Sequence, residues 1–156
     1  MLKLLSIICV FTLSTTTVYA EAADGIIGIW VSENGDAKIK ILKSGESYEG
    51  SIIWLKEPNY TVDAPGEKAG TPKHDNNNPD ESLRDRPIIG LKILWDIKYE
   101  GENEWGDGEI YDPENGSTYS CMMSLESITT LNIRGYVGFS LFGRTTQWTR
   151  DIASKQ

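Results

Sequence analysis

Residues 37–55 read Ala-Lys-Ile-Lys-Ile-Leu-Lys-Ser-Gly-Glu-Ser-Tyr-Glu-Gly-Ser-Ile-Ile-Trp-Leu, and the two-residue period at the start of this stretch decides the fold class. Ala37, Ile39 and Ile41 alternate with Lys38 and Lys40. An extended chain therefore puts apolar side chains on one face and ammonium groups on the other. Ser44-Gly45 interrupts the run with a residue that tolerates positive φ, as tight hairpins require. Tyr48, Ile52 and Trp54 are then expected to share one side of the returning strand.

Outward from this hairpin the pattern recurs. Ile93, Trp95, Ile97 and Tyr99 alternate, as do Tyr119, Cys121, Met123 and Leu125; Leu131 and Ile133 follow, and Thr145 to Arg150 close the series. Asn34-Gly35, Gly101-Glu102-Asn103 and Asn115-Gly116 supply further turns. The spacing predicts strands near 27–33, 36–43, 47–55, 91–99, 104–112, 117–125, 128–135 and 144–150. No stretch longer than two turns has helical spacing. Consecutive antiparallel strands in about this number form a sandwich or a barrel, and sequential hairpins favour the barrel, which removes sheet edges. The fold class is thus all-β: a single antiparallel up-and-down β-barrel of about eight strands, with space for one small ligand or a filled interior. The one interruption is a long loop, Lys56 to Gly90, rich in proline and with Pro79 beside Asn76, Asn77 and Asn78. Such a loop is either a lid or binding segment, or a solvated excursion. Ser82 to Asp85 is long enough for one helical turn ahead of Pro87.

The first twenty residues read as a signal peptide. Lys3 precedes an apolar run from Leu4 to Leu13, and Val18-Tyr19-Ala20 places small residues where a signal peptidase needs them. Cleavage after Ala20 (or Ala22) leaves a domain of residues 21–156 without a membrane span, exported to the periplasm or beyond. Cys9 sits among Ile7, Ile8 and Val10, a context that suits no lipid anchor. Loss of Lys3 and no acid moves the net charge from −8 to −9. That charge repels phosphate backbones, so nucleic acid is not an expected partner. Cys121 alone remains, so no intramolecular disulfide forms and a core must supply stability.

Gly28-Ile29-Trp30 opens the first strand and Trp148-Thr149-Arg150 ends the last. In a closed barrel these strands are neighbours, and the Arg150 guanidinium can then lie over the Trp30 ring. This pairing resembles the structural signature of lipocalins and other calycins. A longer ordered series extends it. It comprises Gly50-x-Ile52-x-Trp54-Leu55, Asp75 with Asn78-Pro79-Asp80, and Leu83-Arg84-x-Arg86-Pro87-x-x-Gly90-Leu91. Trp105-x-x-Gly108-x-Ile110-Tyr111-Asp112-Pro113-x-x-Gly116-x-x-Tyr119 follows, then Arg134-Gly135-Tyr136-x-Gly138 and Phe142-Gly143-Arg144-x-x-x-Trp148-x-Arg150. Together they resemble the bacterial secreted family labelled domain of unknown function 2147. The resemblance implies an exported lipocalin-like barrel in which Gly28, Trp30 and Arg150 are structural, and it carries over no catalytic residue.

On their own physics, Trp54, Trp95, Trp105, Tyr111 and Tyr119 are candidates to face one cavity, because rings with polar tips make apolar walls with a few directed hydrogen bonds. Arg86, Arg134 and Arg144 can add a fork for a carboxylate or phosphate. The bland alternative is that the rings fill the barrel and the arginines pair with neighbouring acids. His74-Asp75 offers too few ligands for a metal site. Asp107 with Glu109, and Asp112 with Glu114, supply carboxyl pairs for a hydrolase, which needs one raised pKa. Cys121 has no nearby base and reads as a small buried hydrophobe. Gly135 to Gly143 is too glycine-rich for a regular strand throughout and is expected to plug one barrel end. The leading expectation is a binding module for a small amphipathic or anionic molecule with no cofactor; an envelope interaction protein and a carboxylate-dependent hydrolase are the alternatives.

Overall fold

The computed structural model describes residues 22–62, 66 and 68–155. The signal-peptide reading of residues 1–20 lies outside the described residues. The alternating runs form β1 (Gly28–Val31), β2 (Ala37–Ser44), β3 (Ser47–Leu55), β4 (Lys92–Gly101), β5 (Glu104–Asp112), β6 (Ser117–Ser127), β7 (Thr130–Tyr136) and β8 (Gly143–Arg150). Each strand pairs antiparallel with the next and β8 returns to β1, closing the barrel. The closing seam is short: Trp30 lies opposite Arg150 and Val31 opposite Thr149.

One end of the barrel is packed solid. Trp30, Ile41, Tyr48, Ile97, Trp105 and Leu131 are buried there, with Ile26 from the 3-10 turn Asp24–Ile26. A buried indole N–H left without an acceptor costs about 1–3 kcal/mol, and both tryptophans use this turn to avoid that. Trp30 Nε1 donates to the Ile26 carbonyl at 2.8 Å, and Trp105 Nε1 donates to the Ala23 carbonyl at 3.0 Å. Arg150 locks the turn from outside, its Cζ 4.1 Å from the centroid of the Trp30 ring. Its guanidinium donates to the carbonyls of Ile27, Gly25 and Ile128.

Strict alternation fails at several register shifts, and three of them decide which side chains point inward. In β3, Ile39 pairs with Ile52 but Lys38 pairs with Trp54, leaving Ile53 as the extra residue. Trp54 is thereby turned to the outer face beside Lys38, whose ammonium sits 5.5 Å from its ring. In β4, Tyr48 pairs with Ile97 and Gly50 with Leu94, so Glu49 faces two residues, Trp95 and Asp96. Asp96 takes the strain at φ 56°, Leu94 and Ile97 point inward, and Trp95 stands outside with Glu109. Asp107 makes the equivalent bulge in β5 at φ 57°. The expectation that Trp54 shares a side with Ile52, and Trp95 with Ile97, is corrected on this ground.

The Lys56–Gly90 connection is held in place by its own backbone. Asn59 bridges to Pro72 and His74 to Pro87, and Gly90 N donates to the Ile52 carbonyl at 2.7 Å. The helical turn expected near Ser82 is 3-10, Glu81–Leu83, capped by the Asp80 side chain, which accepts from Ser82 N.

The residues between β7 and β8 do not plug the barrel. Val137, Phe139, Leu141 and Phe142 are 68%, 77%, 85% and 78% exposed. The base is already filled by Ile26 and the tryptophans, and this connection lies at the opposite end.

Cys121 is fully buried, and burial pushes its thiol up to about 12. Burial, and then the Asp75 carboxylate, push the Tyr111 hydroxyl up to about 12 as well. Both groups are neutral acids whose folded pKa lies above the unfolded one. Their contribution is complete below the unfolded values of about 9 and 10 and is lost as pH climbs toward 12. Chemical denaturation midpoints should therefore be flat from neutrality to about pH 9 and fall beyond it. Peptide-resolved mass spectrometry should find Cys121 unlabelled by a thiol reagent until the chain unfolds; rapid labelling of the native protein would contradict the burial.

Candidate functional site

Opposite the packed base, the barrel opens into a cavity of about 1270 Å³. Its walls follow from the alternation: Ile39, Ile52, Ile110, Ile133 and Trp148 point inward from five strands, and Ile88 from the long connection joins them. Space exists because the large rings are concentrated at the base, while Gly135 faces the interior at the mouth. A Cβ on Gly135 would reach only ordinary contact with Tyr119 and Ile110, at 3.5 and 3.6 Å.

Four connections form the rim: residues 32–36, the start of the long loop, the turn 113–116 and residues 137–142. They mix charges. Glu33, Asp36, Glu57, Asp112 and Glu114 are the acids, and Lys56, Lys73 and Arg144 the cations. Lys73 lies 3.9 Å from Glu57, and Glu33 accepts from Thr146 Oγ1 at 3.2 Å. The Arg144 side chain is exposed on the rim and makes no hydrogen bond or ion pair among the described residues. An apolar cup with such a rim can take an apolar body and hold an anionic head group at the opening.

A second polar assembly lies on the outer wall beside the mouth, where the long loop folds down over Tyr111. Asp75, wholly buried, accepts from Tyr111 Oη at 2.6 Å, from Asn78 Nδ2 at 2.8 Å and from Arg86 Nη2 at 2.8 Å. Arg84 Nε donates to the Asn78 carbonyl at 2.8 Å. Asn77 Nδ2 reaches the carbonyls of Pro113 and Glu114 on the β5–β6 turn. Gly116 makes that approach possible, since any Cβ there would overlap the Asn77 carbonyl. This assembly fastens the loop to the barrel and uses up the carboxylate in doing so.

The sequence candidates are therefore distributed over several places. Tyr119 and Arg144 border the cavity, and Tyr111 stands at its edge. Arg86, Trp95 and Tyr111 meet instead around a shallow outer groove of about 310 Å³. Trp95 Nε1 donates there to Glu109 Oε2 at 2.8 Å. Trp54 is on the outer face, 40% exposed. Trp105 belongs to the packed base, its ring 5.1 Å from that of Tyr99. Arg134 braces the β7–β8 connection through the Ser140 carbonyl at 2.7 Å and Thr145 Oγ1 at 2.9 Å. The eight ring and arginine candidates do not converge on one cavity. Bulges and loop docking separate them, and neither leaves a trace in residue spacing.

Reading by residue type also passed over the isoleucines and Trp148 that line the cup. The alternation that placed them inward was the available signal, but nothing in it separates mouth from base. Asp107 lies 3.7 Å from Lys98, and Asp112 caps the turn through Glu114 N and Asn115 Nδ2. These carboxyls are engaged in turns and surface pairs. Among the described residues no group of three or more His, Cys, Asp and Glu is placed to hold a metal ion, and no helix is long and apolar enough to cross a membrane.

Residues 28–150 match the family described as "Uncharacterized protein conserved in bacteria" (DUF2147). Among solved structures, the chain is similar to protein HP1028 from the human pathogen Helicobacter pylori, described as belonging to the lipocalin family. The two share 22% identity at a TM-score of 0.67, over 83% of this chain and 85% of that one. At that identity the likeness is one of fold. A search of curated proteins finds no match.

Proposed function

The chain belongs to the DUF2147 family, and on that premise we propose that its barrel binds a small amphipathic or anionic molecule in the mouth cavity. The observation that carries this reading is the cup itself: isoleucine and tryptophan walls over a packed floor, open at one end, with the exposed Arg144 on the rim. Water in such a cup has few hydrogen-bonding partners, so an apolar body replaces it favourably. The fold resemblance to a lipocalin-family protein supports the same reading. We further propose that residues 1–20 are removed on export and that the protein works in the periplasm or outside the cell; the N-terminus of the protein recovered from its source would then be Glu21 or Ala23.

The anionic amphiphile 1-anilinonaphthalene-8-sulfonate serves as probe. Expected is saturable binding at one site, displaced by long-chain fatty acids. Gly135→Leu, which fills the mouth with three further carbons beyond its Cβ, should abolish it. Arg144→Gln should weaken it about tenfold, the equivalent of one charge-assisted hydrogen bond. Binding that never saturates, or that is unchanged in Gly135→Leu, would defeat the reading.

A further inference from the structure

One lip of the mouth is apolar where the rest is charged. Between β7 and β8, Val137, Phe139, Leu141 and Phe142 all project into solvent. The lip has a built conformation: Arg134 donates to the carbonyls of Ser140 and Leu141 and to Thr145 Oγ1. Phe142 N closes a turn onto the Phe139 carbonyl at 3.0 Å, and Gly138 supplies a φ of 70°. Four large apolar groups on a braced tip are a costly surface for water to cover, and such patches mark a contact.

Charge identifies the contact. The chain carries 23 acids against 15 lysines and arginines, yet from Ser127 to Arg150 there is no acid, only Arg134, Arg144 and Arg150. A second copy would bring the same excess of acids, −8 for the full chain and −9 without residues 1–20, and net repulsion opposes its approach. A bilayer of zwitterionic phospholipid carries no such penalty. Its acyl region accepts Phe139, Leu141 and Phe142, and its phosphates suit the exposed Arg144 guanidinium at the base of the lip. Glu33, Asp36 and Glu114 across the mouth tilt the remaining rim away from anionic lipid. Val137, Leu141 and Phe142 also border the cavity, so the apolar surface runs unbroken from the lip to the cup. We propose that the β7–β8 connection is a docking lip that inserts into the surface of a zwitterionic phospholipid bilayer and turns the mouth toward it.

The test uses the full chain carrying Phe139→Trp, with phosphatidylcholine vesicles containing a doxyl-labelled lipid as quencher. Emission from position 139, taken as the difference from the parent chain, should shift to the blue and be quenched by shallow labels. Adding Leu141→Ser and Phe142→Ser should weaken that partition by about tenfold or more, with an unchanged melting curve because both side chains contact mainly solvent. Arg144→Gln should weaken it a few-fold. The proposal is overturned if the residue-139 signal is indifferent to vesicles, or if the double serine variant partitions as well as its parent. It is also overturned if sedimentation equilibrium finds a dimer that the serine substitutions dissolve, which would assign the lip to a second copy.

Discussion

Replacing Arg150 by alanine should lower the unfolding free energy by about 3 kcal/mol, the largest single-residue loss expected at the surface of this protein. The guanidinium serves three carbonyls, of Ile27, Gly25 and Ile128, and stacks on Trp30. Burial lowers its pKa, so the group gives up hydration to sit there, and the carbonyls are what compensate it. Its removal strands those carbonyls, uncovers a fully buried indole and weakens a short seam, made of the Trp30–Arg150 and Val31–Thr149 pairs with the Asp151 N–H bonded to the Ile29 carbonyl. A melting temperature roughly 10 °C lower should result. Arg150→Lys should recover only a minor part, because an ammonium cannot serve three divergent carbonyls.

Gly28 supplies an internal check. It sits at φ 140°, and a Cβ there would lie 2.7 Å from Arg150 Nη1. Gly28→Ala should therefore cost less in the Arg150→Ala chain than alone, since part of its penalty is collision with the guanidinium. Additive losses in that double-mutant cycle, or an Arg150→Ala chain as stable as its parent, would show that the staple does not hold the seam.

Asp75→Ala should be the second largest loss, about 3 kcal/mol, but of a different kind. Asp75 is the shared acceptor for Tyr111, Asn78 and Arg86. Without it Tyr111 Oη and Asn78 Nδ2 lose their carboxylate, while the half-exposed Arg86 turns to water. The long loop should come away from the barrel wall before the barrel opens. Hydrogen exchange would then show amides 73–90 unprotected while β5 and β6 stay protected. Tyr111→Phe removes one donor and leaves two, so about 1–2 kcal/mol is expected. It should also remove the phenol's part of the alkaline loss of stability. Uniform exchange across loop and barrel in Asp75→Ala would mean that the carboxylate serves the core as a whole.

The strand plan was legible because it depends on local chemistry. Lys38 and Lys40 beside Ile39 and Ile41 leave one arrangement that buries the isoleucines and solvates the ammonium groups. The seam was legible too, since closure brings the first and last strands together and Trp30 needs a cover. The cavity rings were not. Trp54 and Trp95 sit in runs that alternate correctly on paper, yet Ile53 and Asp96 each add one residue to a ladder and turn the adjacent ring outward. Asp75 was visible only as a carboxylate in a loop, because Tyr111, its closest partner, lies 36 residues away.

What the sequence by itself determined is the set of elements and their order: an antiparallel barrel, its terminal strands adjacent, one long excursion after β3. These follow from side-chain period and turn residues, which act over a few neighbours. Only the tertiary structure decided which end is solid and which is hollow, which rings face out, and that residues 137–142 project from the rim. Those outcomes depend on register shifts and on contacts between residues distant in the chain. The free energy of such contacts depends on which groups meet in space, and the period of a strand carries no record of that.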